Sequence, residues 1–127
     1  MSAKKPLILV VEDEPSYQHV YQMKLESAGF DVLTASNGEE AVFLCKDHQP
    51  DLILLDLIMP VKDGFSTLED LRKGGSCTKT PIIVTSNLSQ DEDIDRAMQL
   101  GATDYFIKSN VAIGDIPDII RKHLDAD

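Results

Sequence analysis

The chain has 127 residues and a formal net charge of -10, from 22 acidic against 12 basic side chains. That length is one domain's worth and buries roughly two-thirds of the surface an unfolded chain exposes, so a full core forms without staples. The acidic balance, with no basic stripe, argues against direct nucleic-acid binding, because phosphate backbones are gripped by clustered Lys and Arg. Cys45 and Cys77 form no Cys-x-x-Cys arrangement, so neither a zinc site nor a disulfide framework is implied. Reduced thiols in a cytoplasmic protein are the expectation.

Leu7 to Val11 is a β-branched apolar run closed by Glu12-Asp13-Glu14-Pro15, which reads as a first buried strand. It is too short for a signal peptide or a membrane span, so no membrane partner is expected. Pro15 suits a first helical turn, and Tyr17, Val20, Tyr21, Leu25 and Ala28 recur at helical spacing before Gly29 supplies a left-handed stop. Val32 to Ala35 reads as a second strand, after which Ser36 with Glu39 has the form of a capping box. Ala41, Leu44, Cys45 and His48 mark one face of the helix that Pro50 ends.

Leu52 to Leu55 is too short and too continuously apolar for an amphipathic helix, and reads as a strand buried on both faces. Pro60 and Gly64 then fix a loop. Phe65, Leu68 and Leu71 predict a third helix to about Lys73, broken by Gly74, Gly75 and Ser76. Pro81 to Val84 predicts a fourth strand stopping at Thr85-Ser86-Asn87. Ser89 with Glu92 has the form of a second capping box, with Ile94, Ala97, Met98 and Gly101 on the inner side of a fourth helix. Tyr105 to Ile107 predicts a fifth strand ending at Lys108. A loose segment from Ser109 to Asp115 precedes a closing helix marked by Ile116, Ile119, Ile120 and Leu124, with Pro117 in its first turn.

Alternating strands and helices imply an α/β fold: a doubly wound, five-stranded parallel sheet with helices on both faces. Right-handed crossovers with one reversal give the strand order 2-1-3-4-5. Glu12, Asp13 and Asp56 then end neighbouring strands at the rim where ligands bind in such folds, with Thr85 and Lys108 ending the next two. Carboxylates gathered there repel one another and need a positive charge. Lys108 supplies one, and a site with few carboxylates and room for water suits Mg²⁺ or Mn²⁺. The competing reading of Glu12 and Asp13 is capping of the first helix. A metal-bound carboxylate with a hydroxyl and an ammonium nearby suits phosphoryl transfer, with Asp56 as nucleophile and Thr85 and Lys108 on phosphoryl oxygens.

Glu12-Asp13 after the first strand, Asp56 to Gly64 after the third, Thr85-Ser86 after the fourth and Lys108 after the fifth resemble the receiver domain of two-component response regulators. The resemblance runs from about Lys5 to Leu124, and the whole of residues 1–127 reads as one such domain of flavodoxin-like fold. It implies that Asp56 accepts a phosphoryl group from the phosphohistidine of a histidine kinase or a histidine phosphotransfer protein. It implies that Asp13, Asp56 and the main-chain carbonyl of Ile58 coordinate Mg²⁺, with Glu12 helping through water. Thr85 and Lys108 would contact the phosphoryl group. Tyr105, at the position of the family's aromatic switch, would turn inward as Thr85 moves and so alter a surface used by a downstream protein partner.

Three departures stand out, one being that the segment from Ser109 to Asp115 looks long for the family. Ser109 occupies the position where the family usually has proline after its lysine, which alters the last loop. Ile58 offers nothing to orient an attacking water, so self-dephosphorylation is expected to be slow. An aspartyl-phosphate phosphatase would need a second Asp at position 58, and a flavodoxin-like carrier of flavin mononucleotide would need small hydroxyl residues where Glu12-Asp13-Glu14 stand. The intact Asp13, Asp56, Thr85 and Lys108 likewise disfavour a receiver that only binds. The end at Asp127, soon after the last helix, leaves a stand-alone regulator or a piece of something longer, and the former is favoured.

Overall fold

The computed structural model describes residues 5–59, 62–74 and 77–125. Five strands, β1 (Leu7–Val11), β2 (Asp31–Ala35), β3 (Leu52–Leu55), β4 (Ile82–Ser86) and β5 (Asp104–Ile107), form one parallel sheet in the order β2-β1-β3-β4-β5. Five α-helices alternate with them: α1 (Pro15–Ser27), α2 (Gly38–His48), α3 (Gly64–Lys73), α4 (Asp91–Gln99) and α5 (Ile116–Leu124). Among the described residues, no helix is long and apolar enough to cross a membrane.

Side chains on a strand alternate between faces, and the apolar runs divide accordingly. Leu9, Val11, Ile53, Leu55, Ile82 and Val84 pack with Ala41, Cys45, Leu68, Leu71 and Ala97 from α2, α3 and α4. Ile8, Val10, Leu52, Leu54 and Ile83 pack with Tyr21, Leu25, Ile116 and Ile120 from α1 and α5. A strand covered on both sides has no polar face to show, which is why β3 reads as an uninterrupted apolar run.

Several boundaries differ from the pattern in the sequence. β4 starts at Ile82 and runs on through Thr85 and Ser86, because β5 pairs with it to Ser86 opposite Ile107. β2 begins one residue early, at Asp31, opposite Leu7. The cap of α2 lies one residue later than expected: Asn37 Oδ1 accepts from the Glu40 N–H at 2.9 Å, and Glu40 Oε1 accepts from the Ser36 N–H at 2.9 Å. At α4 the N-cap is Gln90 and no side chain caps the helix, so Ser89 and Glu92 form no capping box. Met98 is 42% exposed and His48 is also exposed, leaving Ala97 and Cys45 as the inward residues of their turns. The segment 109–115, expected to be loose, carries two single 3₁₀ turns, Lys108–Asn110 and Ile113–Asp115. Pro60, Gly75 and Ser76 lie outside the described residues.

Gly29 stops α1 with φ +99°, a left-handed conformation that costs a residue with a Cβ. Gly64 answers a different demand. Its N–H donates to the Leu57 carbonyl at 2.9 Å, and an added Cβ would stand 2.3 Å from Leu57 Cα and 2.7 Å from the Asp56 carbonyl oxygen. Only a residue without a side chain lets α3 begin directly against the loop that carries Asp56.

Candidate functional site

The register of the sheet brings the acidic residues together. Val11 lies opposite both Ala35 and Leu55, and the ladder continues one residue further: the Glu12 N–H donates to the Ala35 carbonyl at 2.9 Å, and the Asp56 N–H donates to the Val11 carbonyl at 3.0 Å. Glu12 and Asp56 therefore leave neighbouring strands at one level, and one oxygen from each of Glu12, Asp13 and Asp56 lies within 4.8 Å of the others. They line a cleft of about 580 Å³, part of it open to solvent, with Glu14, Tyr17, Ile58, Asn87 and Lys108.

Lys108 crosses that cleft. Its ammonium donates to Glu12 Oε1 at 2.6 Å and reaches Asp56 Oδ2 at 3.5 Å, while standing 4.2 Å from the centre of the Tyr17 ring. Asp56 is only 6% exposed and Glu12 only 1%. Burial pushes both carboxyls above their usual range against the pull of Lys108. Burial works on Lys108 in the opposite sense, but the Glu12 hydrogen bond and the Asp56 and Glu12 charges outweigh it and leave the amine above its usual range. The Ile58 N–H donates to Asp56 Oδ1 at 3.3 Å, which orients the carboxylate.

Capping does not account for the acidic pair. The N-cap of α1 is Glu14, with no side-chain cap, while Glu12 Oε2 accepts from the Glu14 N–H at 3.1 Å. Asp13 is thus left facing the cleft. Three carboxylates near one point, two of them buried and one partly exposed, with a single ammonium among them, form a donor set that suits a hard divalent cation such as Mg²⁺.

Thr85 and Tyr105 stand apart from this group. Thr85 is 3% exposed on β4 and does not line the cleft. Its hydroxyl and Lys108 both act on the buried Tyr21 phenol, which burial nevertheless holds above its usual range. Tyr105 packs against the core on the α4 side, and its hydroxyl donates to the Leu88 carbonyl at 2.6 Å.

Two features of the cleft were not apparent from the sequence. Tyr17 had the spacing of an inner helical residue, yet it is 38% exposed and its ring lies under Lys108. Ser109 uses the N–H that a proline would lack to donate to Asn87 Oδ1 at 3.0 Å, tying the loop after β5 to the loop after β4. No cis peptide occurs among the described residues.

The model of the response regulator receiver domain family matches residues 8–121. The chain belongs to that family. A probable C4-dicarboxylate response regulator, DctR, of Priestia megaterium is 41% identical over 110 residues, covering 85% of this chain and 47% of the relative. The receiver domain of the Francisella response regulator 1452 superposes with a TM-score of 0.87 at 30% identity, covering 96% of this chain and 98% of that one. The receiver domain of the sensor histidine kinase PA1611 from Pseudomonas aeruginosa, which holds a magnesium ion in its active site cleft, gives a TM-score of 0.85 at 28% identity over 95% and 98% of the two chains. This receiver domain spans less than half the length of the first curated relatives it matches.

Proposed function

We propose that this receiver domain accepts a phosphoryl group on Asp56 from the phosphohistidine of a histidine kinase or a histidine phosphotransfer protein. The observation that carries the reading is the convergence of Asp56, Asp13, Glu12 and Lys108 in one cleft at the carboxyl rim of the sheet. An oxygen of Asp56 attacks phosphorus while the P–N bond to the donor imidazole breaks and its electrons return to the ring. Asp13, Asp56 and the Ile58 carbonyl would hold Mg²⁺, with Glu12 assisting. Bound there, the ion would neutralise charge on the carboxylates and the phosphoryl oxygens.

Lys108 is held at 2.6 Å by Glu12 and stands 3.5 Å from Asp56, so a short swing brings its ammonium onto a phosphoryl oxygen of Asp56. Thr85 would hold another such oxygen, moving from its buried place beside Tyr21. The loop from Asn87 to Leu88 links the cleft to Tyr105, since Asn87 lines the cleft and the Leu88 carbonyl holds the tyrosine hydroxyl. Phosphorylation would therefore shift the population of a contact that already exists rather than create it. The changed surface would be read by a downstream protein partner in the cytoplasm, without direct contact to nucleic acid or membrane.

Ile58 lines the cleft and is 55% exposed, and the Asn87 Oδ1 is occupied by Ser109, so neither favours placing an attacking water. The acyl phosphate is accordingly expected to be long-lived. The test is incubation with Mg²⁺ and acetyl phosphate, followed by intact mass. One phosphoryl addition is expected in the wild type and none in Asp56→Asn; labelling that survives the substitution moves the acceptor elsewhere.

A further inference from the structure

Away from the cleft, on the α2 and α3 side of the sheet, the two cysteines of the chain meet. Both are free, Cys45 is 2% and Cys77 is 1% exposed, and both belong to the same core cluster. They line one shallow recess, open to solvent on one side, whose rim includes the exposed Lys46 of α2 and Gly74 after α3.

The two positions differ in stiffness. Cys45 sits in the regular part of α2, whereas Cys77, between α3 and β4, belongs to no helix or strand. A disulfide requires specific Cβ and dihedral geometry, and a pair in which one partner belongs to no helix or strand can reach it by adjusting that partner alone. The surroundings also assign roles. The Arg72 guanidinium donates to the Cys77 carbonyl at 2.8 Å and to the Thr80 carbonyl at 2.6 Å, which places a positive charge beside Cys77. The Cys45 thiol, Thr80 and Arg72 together hold Cys77 below the usual thiol range against burial, while the neighbouring Cys77 raises Cys45 well above it. Thiolates, not thiols, attack peroxides.

We propose that Cys45 and Cys77 form a reversible redox pair that a peroxide converts to an intramolecular disulfide. The Cys77 thiolate attacks one peroxide oxygen; an S–O bond forms, the O–O bond breaks, and the departing oxygen takes a proton as water or an alcohol. The Cys45 sulfur then attacks the Cys77 sulfenic sulfur. The S–S bond forms, the S–O bond breaks, and the hydroxide leaves with the Cys45 proton as water. Two thiols have lost two electrons and the peroxide has gained them. In a reducing compartment such a bond is transient, as expected of a sensing pair and not of a structural staple.

The experiment exposes the reduced, folded chain to hydrogen peroxide and follows intact mass and thiol alkylation, with a non-reducing digest to map cross-links. The expected result is a monomer lighter by two hydrogens, loss of both thiols together, a Cys45–Cys77 cross-linked peptide, and full reversal by dithiothreitol. In Cys45→Ala the sulfenic acid at Cys77 is stranded and is captured by dimedone. Both thiols surviving in molecules whose exposed Met23 has become the sulfoxide would overturn the proposal. So would stable oxygen addition to a cysteine in the wild type, or cross-links only between chains. The wild-type digest decides the matter even if the variant does not fold.

Discussion

Replacing Asp56 by asparagine should stabilise the fold in the absence of a divalent cation. Carboxylate oxygens of Asp56, Glu12 and Asp13 lie within 4.8 Å of one another, and at an effective dielectric of 20 each repulsion on Asp56 is worth at least about 3 kcal/mol. Lys108 at 3.5 Å returns about 5 kcal/mol by the same relation. The two repulsions exceed the attraction by only roughly 1 kcal/mol, and desolvation of the buried charged group adds more in the same direction. Burial, the larger influence, holds Asp56 above the usual carboxylate range. A group whose folded-state pKa is raised lends its stability below the unfolded value and loses it as pH rises through the folded one. The gain in Asp56→Asn is therefore largest at neutral pH and vanishes as pH falls below the unfolded aspartate value of about 4. Urea denaturation at pH 7 with a chelator should show a gain of about 2 kcal/mol, on the order of 8 °C in Tm. The difference should narrow when Mg²⁺ is added, because the wild type has more charge for the ion to neutralise. Equal or lower stability of the variant at pH 7, or a gain that persists at pH 3, would refute the electrostatic reasoning.

Removing the amine acts in the opposite sense. Lys108→Met leaves the Glu12 and Asp56 charges unpaired in a largely buried place, so it should lower stability at pH 7 by about 3 kcal/mol, with most of the loss recovered in acid as the carboxyls protonate; thermal melts across pH test this. Gly64→Ala drives a Cβ into Leu57 and the Asp56 carbonyl, so it should cost about 2–4 kcal/mol and shift the Asp56 amide resonance. With the acyl phosphate in place, phosphate release followed by intact mass in Mg²⁺ should be slow, and a half-life of seconds would contradict the role given to Ile58 and Asn87.

The parallel sheet was legible because its strands are buried on both faces and therefore appear as apolar runs that stop at charged or hydroxyl residues. Leu7 to Val11 and Leu52 to Leu55 match their strands without adjustment. Glu12, Asp13, Asp56 and Lys108 could be brought to one rim because a parallel sheet places successive strand ends together. Caps were less legible. Ser36 and Asn37 are adjacent and chemically equivalent as caps, and only the path of the chain into α2 decides for Asn37. Tyr17 and Met98 fit helical spacing, yet Tyr17 faces the cleft and Met98 solvent, because the width of a buried stripe depends on what packs against it. The bond from Ser109 to Asn87 joins two loops, and nothing in the local sequence of either announces the other.

If Glu12, Asp13, Asp56 and Lys108 form one cation-binding site, titration of the isotope-labelled chain with Mg²⁺ will report on all four together. Amide shifts should concentrate at residues 12–14, 56–59 and 108, saturate together with a single affinity, and weaken sharply in Asp13→Asn. Shifts scattered over other acidic surfaces such as the start of α4, or an affinity unchanged by Asp13→Asn, would contradict it.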